Sequence, residues 1–218
     1  STAIFCAGIT SIKFCQNNPK VSNKINVKNT LKLIKHLIKD KIRVIYLSSN
    51  MVFDGSKALT RINEATNPKT NYGKQKAEVE KKLKSLNSEY ITIVRLSKII
   101  DVKIKLYRDW IYSLIQKKEI SSFSDLVMSP ITLNFTISIL NQIAEKSISG
   151  IIQVSGNHDI TYSDFAILIA KKIGVNSSLV KKVKAVDVLD HYNILPKNTA
   201  MNTDSLFKKL EVKVPNIE

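Results

Sequence analysis

Two short apolar runs, Ile42 to Leu47 and Tyr90 to Leu96, are each preceded by a helical pattern, and that alternation leaves few folds open. The first run follows Val27, Leu31, Ile34 and Ile38, which recur at helical spacing after Pro19. The second follows a segment from Tyr72 to about Leu86 that reads as a helix. With Ala3 to Cys6 as an opening strand, the order is βαβαβ. Strands joined through helices run parallel with right-handed crossovers, and a parallel sheet is covered on both faces, so the expected class is α/β.

After Ile100 the pattern changes. Trp110, Leu114 and Ile115 suggest one helix, Ile137 to Ala144 a second, and Gly150 to Val154 a short strand. Thr161-Tyr162-Ser163-Asp164 reads as a capped helix start, with Thr161 as cap and Asp164 in the first turn, before Phe165, Leu168, Ile169 and Ile173. Neither an internal repeat nor a low-complexity linker is visible.

Composition excludes some classes. An apolar fraction of 44% over 218 residues suffices for a real core. No apolar run approaches the ~18 residues of a membrane span, and no charged segment leads into a signal core. A soluble, cytoplasmic protein without a membrane partner is expected. Cys6 and Cys15 read as two reduced thiols, and His36, His158 and His191 are too scattered for a metal site. The net charge of +16 raises the question of nucleic acid. Its lysines are spread over helix faces, its arginines are only Arg43, Arg61, Arg95 and Arg108, and no aromatic-interleaved platform exists. No nucleic-acid partner is expected, whereas attraction for diphosphates fits the charge.

The chemistry concentrates between Val44 and Lys76. A hydrophobic strand ends in Ser48 and Ser49, and Tyr72 and Lys76 follow on a helix, four apart and on one face. With seven tyrosines in a lysine-rich chain, a Tyr-x-x-x-Lys arises about once by chance. Context gives it weight: Ser49 lies at the carboxyl end of a buried strand, where ligands sit in open α/β sheets. In this reading Tyr72 donates a proton to a carbonyl, Ser49 hydrogen-bonds the carbonyl oxygen, and Lys76 brings the phenol closer to its working range.

The segment Ser48-Ser49-Asn50-Met51-Val52-Phe53-Asp54-Gly55, with Asn63-Glu64, Pro68, Tyr72-Gly73, Lys76 and Glu80, resembles the extended short-chain dehydrogenase/reductases, and within them the dTDP-4-dehydrorhamnose reductases. Ala3 to Thr10, Asn26-Val27-x-x-Thr30, Arg95-Leu96-Ser97, Ser129-Pro130 and Pro196 to Thr199 fall in that family's order, with Asn26-Val27-x-x-Thr30 resembling the start of a helix. The resemblance implies the C-terminal portion of a Rossmann-like doubly wound parallel sheet plus a small sugar-nucleotide-binding lobe. Residues 1–100 would be a partial NAD(P)-binding domain, and 101–218 mainly the substrate lobe, interleaved with the sheet. It implies reduction of a 4-keto deoxysugar nucleotide with NADPH or NADH, with a homodimer among the open assemblies. Ser49, Tyr72 and Lys76 would be catalytic. Ala7, Gly8, Tyr72, Lys76 and Ser97 would meet the cofactor, and Ser49, Asn50, Met51, Lys98 and Asn198 the substrate.

Departures from the family pattern point to the sugar end. Met51 stands where the resembled enzymes have tyrosine, Lys98 near a usual tryptophan, and Leu195 where arginine precedes the proline. A related epimerase remains an alternative, as does a non-catalytic relative such as the regulatory subunit of methionine adenosyltransferase. A dehydratase is disfavoured, since Asn50-Met51 replaces its Asp-Glu pair.

None of the six glycines forms the Gly-x-Gly-x-x-Gly turn that holds a pyrophosphate at a helix N-terminus, so roughly 60 residues of the resembled fold are expected to be missing from this sequence. The 218-residue chain by itself is therefore expected to bind nicotinamide dinucleotide weakly. Calorimetry tests this, and micromolar affinity would show that the pyrophosphate is held by other residues.

Overall fold

The structure, a computed structural model, describes residues 1–216 of the chain. Strand β1 (Thr2–Phe5) leads through a loop into helix α1 (Ile12–Asn17), whose first turn is capped by the Ser11 hydroxyl. Pro19 then opens α2 (Pro19–Asn23), a position where its missing N–H costs nothing. The helix continues through a π turn (Lys24–Asn29) into α3 (Thr30–Lys39). After β2 (Arg43–Ser49) comes a 3₁₀ turn (Asn50–Val52), and later α4 (Asn71–Ser85) and β3 (Ile91–Leu96).

The remaining chain forms β4 (Lys98–Ile100), α5 (Lys105–Ile115), β5 (Ile120–Phe123), β6 (Val127–Met128) and β7 (Pro130–Thr132). It continues with α6 (Leu133–Glu145), β8 (Gly150–Val154), β9 (Ile160–Thr161), α7 (Tyr162–Lys172), β10 (Val180–Val183) and α8 (Asp204–Leu210).

The main sheet has the order β1-β2-β3-β8 and every pairing in it is parallel. All residues of β3 are buried, which is why its sequence is nearly continuously apolar rather than alternating. Alternation still decides which helix each side chain meets. Val44 and Tyr46 join Ile34, Val79 and Leu83 under α3 and α4, while Ile45 joins Ile139, Ile143, Leu206 and Leu210 under α6 and α8. Burying one such side chain contributes about 1.5–3 kcal/mol, and two-sided cover is what makes a parallel sheet stable. β1 lies at the sheet edge, with Ile4 40% exposed.

A separate core joins α5 and α7 to the parallel pair β5 and β10. Tyr107 organises it, meeting Trp110 and Phe165 edge-on at 5.9 and 5.5 Å between ring centroids. The short pairs β4-β7 and β6-β9 lie between this core and the main sheet in the chain order.

The expected strands and helices are present, with one difference. Asn26-Val27-x-x-Thr30 does not start a helix but lies within the continuous run from Pro19 to Lys39. The π turn adds a residue to the helical circuit, a distortion frequent at functional sites. Asn26 there is buried, its side chain accepting from the Ile9 N–H at 2.7 Å and donating to the Ile9 carbonyl at 2.9 Å. The loop after β1 is thus fixed by a helix residue.

Candidate active site

The carboxyl ends of β2 and β3 open on a cavity of about 470 Å³. A second cavity of about 430 Å³ lies near the other end of the strands, lined by Leu83, Asn87, Ile91 and Gly150 among others. It contains none of the motif residues, so chemistry assigns the site to the first. That position outside the carboxyl ends of parallel strands is where open α/β sheets bind ligands.

Ser49 ends β2 and is 8% exposed. Its hydroxyl accepts from the Met51 N–H at 3.2 Å and donates to Asn50 Oδ1 at 3.2 Å, so it caps the 3₁₀ turn that follows. Against this turn sits the start of α4, where Thr70 accepts from the Gly73 N–H at 3.0 Å. A Cβ on Gly73 would overlap the Met51 carbonyl oxygen, a backbone atom with little freedom to yield. Gly73→Ala is therefore expected to push α4 off the turn. A loss of about 1–3 kcal/mol in urea unfolding is the expected result, and wild-type stability would show that the turn yields.

Tyr72 and Lys76 project from the first turns of α4 into the same cavity as Ser49. The Lys76 ammonium donates to the Leu47 carbonyl at 2.7 Å and lies 4.7 Å from the Tyr46 ring centroid and 5.8 Å from that of Tyr72. Burial pulls the Lys76 ammonium down to about 8, while Glu80, Cys6 and Cys15 support its charge. Burial pushes the Tyr72 phenol up to about 12, opposed by the polar Ser49 side chain near it.

This corrects the expectation that Lys76 lowers the phenol. Desolvation dominates at Tyr72, and the nearby cation is committed to the Leu47 carbonyl and the Tyr46 ring. The phenol is consequently a protonated donor throughout the neutral range, and the titrating member of the pair is the lysine.

Asn50, Met51, Ser97 and Lys98 also line the cavity. The Ser97 hydroxyl is buried with no hydrogen-bond partner among the described residues, an arrangement costing about 1–3 kcal/mol unless a ligand supplies the bond. Three expected contacts are not brought to the cavity lining. Ala7 and Gly8 lie in the loop after β1, with Gly8 turned toward Asn26, and a Cβ there would stand 3.1 Å from Asn26 Oδ1. Asn198 donates to the Gly55 carbonyl at 2.9 Å, tying its segment to the loop after the 3₁₀ turn, while its neighbours Pro196 and Thr199 line the cavity.

The sequence reading missed Cys6, Thr10, Leu126, Met128 and Tyr162 as lining residues. They arrive from separate elements with no shared spacing. The Cys6 position at the end of β1 was the only available signal. The cavity lining includes the cations Lys76 and Lys98 and no Asp or Glu, which suits an anionic ligand.

Among the described residues no helix is long and apolar enough to cross a membrane, and no cluster of His, Cys, Asp or Glu could hold a metal. The fold is that of sugar-nucleotide reductases. It superposes on dTDP-4-dehydrorhamnose reductase from Bacillus anthracis, solved with NADP, at a TM-score of 0.88 and 20% identity, over 99% of this chain and 76% of that one. It also resembles a hypothetical dTDP-4-dehydrorhamnose reductase from Sulfolobus tokodaii, at a TM-score of 0.81 and 22% identity, over 99% and 76% of the two chains.

In sequence the chain is 23% identical to "Probable low-salt glycan biosynthesis reductase Agl14" of Haloferax volcanii, over 99% of this chain and 73% of that protein. It is 25% identical to methionine adenosyltransferase 2 subunit beta of Bos taurus, over 93% of this chain and 63% of the relative, so it spans less than two thirds of that protein. The family model for the RmlD substrate binding domain matches residues 1–218, and the chain belongs to that family.

Proposed function

We propose that this chain carries the proton-transfer and substrate-binding machinery of an NAD(P)H-dependent reductase acting on a 4-keto deoxysugar nucleotide. The observation that carries the reading is the convergence of Ser49, Tyr72 and Lys76 on one cavity. The Ser49 hydroxyl exchanges its bond to Asn50 for one to the substrate carbonyl oxygen and holds that oxygen against Tyr72. Tyr72 gives its proton to the developing alkoxide. Lys76, protonated below about 8, supports negative charge on the phenol oxygen left behind.

A reduced nicotinamide cofactor, when bound, supplies the hydride. The residues present fit its nicotinamide and ribose end: Ser97 offers an unpartnered hydroxyl, and Tyr72 and Lys76 offer donors beside it. Residues 101–218 act mainly as the sugar-nucleotide lobe, a reading supported by Leu126, Met128, Tyr162, Pro196 and Thr199 lining the cavity. Met51 and Lys98 shape the sugar end for a substrate related to dTDP-4-dehydrorhamnose. Lys98 there can pair with an additional anionic group, contributing on the order of 1 kcal/mol.

The test follows oxidation of NADPH and NADH with several 4-keto sugar nucleotides, using the chain alone and the chain extended by an N-terminal glycine-rich βαβ unit. Turnover is expected to fall as pH rises through about 8, where Lys76 loses its proton. Lys98→Trp is expected to shift preference toward dTDP-4-dehydrorhamnose. If the unsubstituted protein already prefers that compound and Lys98→Trp changes nothing, the altered-substrate reading fails. Product formed without net consumption of reduced cofactor would support an epimerase.

The similarity to a methionine adenosyltransferase subunit favours a second reading, a sugar-nucleotide-binding regulatory protein. Nucleotide-sugar binding without turnover in either form would support it.

A further inference from the structure

Glu80 takes no part in the proton transfer described above, yet it is 1% exposed and surrounded by donors. It lies on α4, one turn beyond Lys76 and two beyond Tyr72. Its carboxylate accepts from Arg95 Nη2 at 2.7 Å, from Arg95 Nε at 3.0 and 3.2 Å, and from Ser48 Oγ at 2.6 Å. Arg95 is 0% exposed and stands in register with Ser48 on β2 and Gln153 on β8. Its remaining amino group donates to Gln153 Oε1 at 3.1 Å and to the Ile62 carbonyl at 3.2 Å. A polar layer thus crosses β2, β3 and β8 next to the cavity, which Ser48 itself lines.

Stability alone does not call for this arrangement, because a buried ion pair recovers little more than its desolvation cost and apolar side chains of similar size often do as well. Geometry is what it adds. The apolar contacts of Val79 and Leu83 with the sheet are non-directional and tolerate a sliding helix. A guanidinium fork on a carboxylate, joined by the Ser48 hydroxyl, fixes both rotation and translation.

We propose that Glu80 is a positioning residue: bonded to Ser48 and Arg95, it locks α4 to the ends of β2 and β3 and so sets Tyr72 and Lys76 against Ser49. The catalytic part rests on the function proposed above. Misplacement by about 1 Å at such a site costs on the order of a hundredfold in rate. Its charge acts on Lys76 as well. That ammonium is faced by Glu80 and Tyr72 on its own helix, Tyr46 on β2, Cys6 after β1 and Cys15 on α1.

The test compares the 218-residue protein with Glu80→Gln and with the paired apolar variant Glu80→Leu/Arg95→Met. Lysine labelled with ¹³C at Cε reports the Lys76 titration by NMR, assigned with Lys76→Arg. The paired variant is expected to stay folded, at a cost set by the Ser48 and Gln153 groups it leaves unpartnered, while the Lys76 midpoint falls by roughly half a unit or more in both variants. In the N-terminally extended form, kcat is expected to drop roughly tenfold or more with KM little changed.

Wild-type Lys76 titration and kcat in a stable paired variant would overturn the proposal and leave the pair a packing element. Should the paired variant not fold, Glu80→Gln decides, since it keeps the shape and removes the charge that Arg95 grips: NMR contacts of Lys76 with the Tyr46 and Tyr72 rings that stay as in the wild type overturn the proposal, and contacts that are lost or shifted support it. If the unsubstituted protein turns over no 4-keto sugar nucleotide, the function proposed above fails separately, and the NMR contacts of Lys76 with the Tyr46 and Tyr72 rings still decide the role of Glu80.

Discussion

Tyr72→Phe is expected to lower turnover by roughly a hundredfold or more while leaving cofactor and sugar-nucleotide binding nearly intact. The substitution removes one oxygen from a half-buried ring and leaves the start of α4 in place. Single-turnover reduction measured beside equilibrium binding separates the two effects. Equal losses in binding and turnover would point to a structural role for the ring, and an unchanged rate would remove Tyr72 as proton donor.

The same pair shapes the dependence of stability on pH, with opposite signs. Lys76 titrates near 8 in the folded protein against an ordinary 10.5, so the unfolded chain binds more protons between these values. Its contribution to stability therefore rises with pH across that window. Tyr72 is held at about 12 against an ordinary 10.0, so the unfolded chain loses its proton first and stability declines as pH rises between those values. Tyr72→Phe should reduce this second slope, which Tyr46, Tyr107 and Tyr162 share because burial raises them as well, and leave the first.

Arg95→Met is expected to cost about 3–5 kcal/mol, because it leaves the Glu80 carboxylate buried without its fork. For a chain of this size that corresponds to a fall in Tm of roughly 6–20 °C. Urea or thermal unfolding measures it. Only a weak substitute is at hand: the Lys84 ammonium, half exposed, stands 4.0 Å from Glu80. A loss below about 1 kcal/mol would show that Lys84 or another donor takes over and that the ion pair is dispensable for folding. Glu80→Leu added to Arg95→Met should recover most of the stability, since the uncompensated charge is then gone.

Local pattern determined a large part of this protein. The buried strands at Arg43–Ser49 and Ile91–Leu96 were legible because parallel strands covered on both faces must be apolar along their length. The helix carrying Tyr72 and Lys76 was legible because a period near 3.6 puts them on one face, and Ser49 because ligand sites gather at strand ends. Each of these signals spans a few neighbouring residues. The tertiary structure decided what depends on burial and on distant partners. In sequence Arg95 stands only as one of four arginines and the first residue of Arg95-Leu96-Ser97, whereas strand register and the packing of α4 make it the buried partner of Glu80. Asn198 and Gly8 went to loop and helix contacts instead of the cavity, and Cys6, Met128 and Tyr162 took the lining from three elements with no common spacing. The charge state of the central pair was decided the same way: spacing placed an ammonium beside a phenol, but desolvation, which only the folded surroundings supply, made the lysine rather than the tyrosine the group that titrates near neutrality.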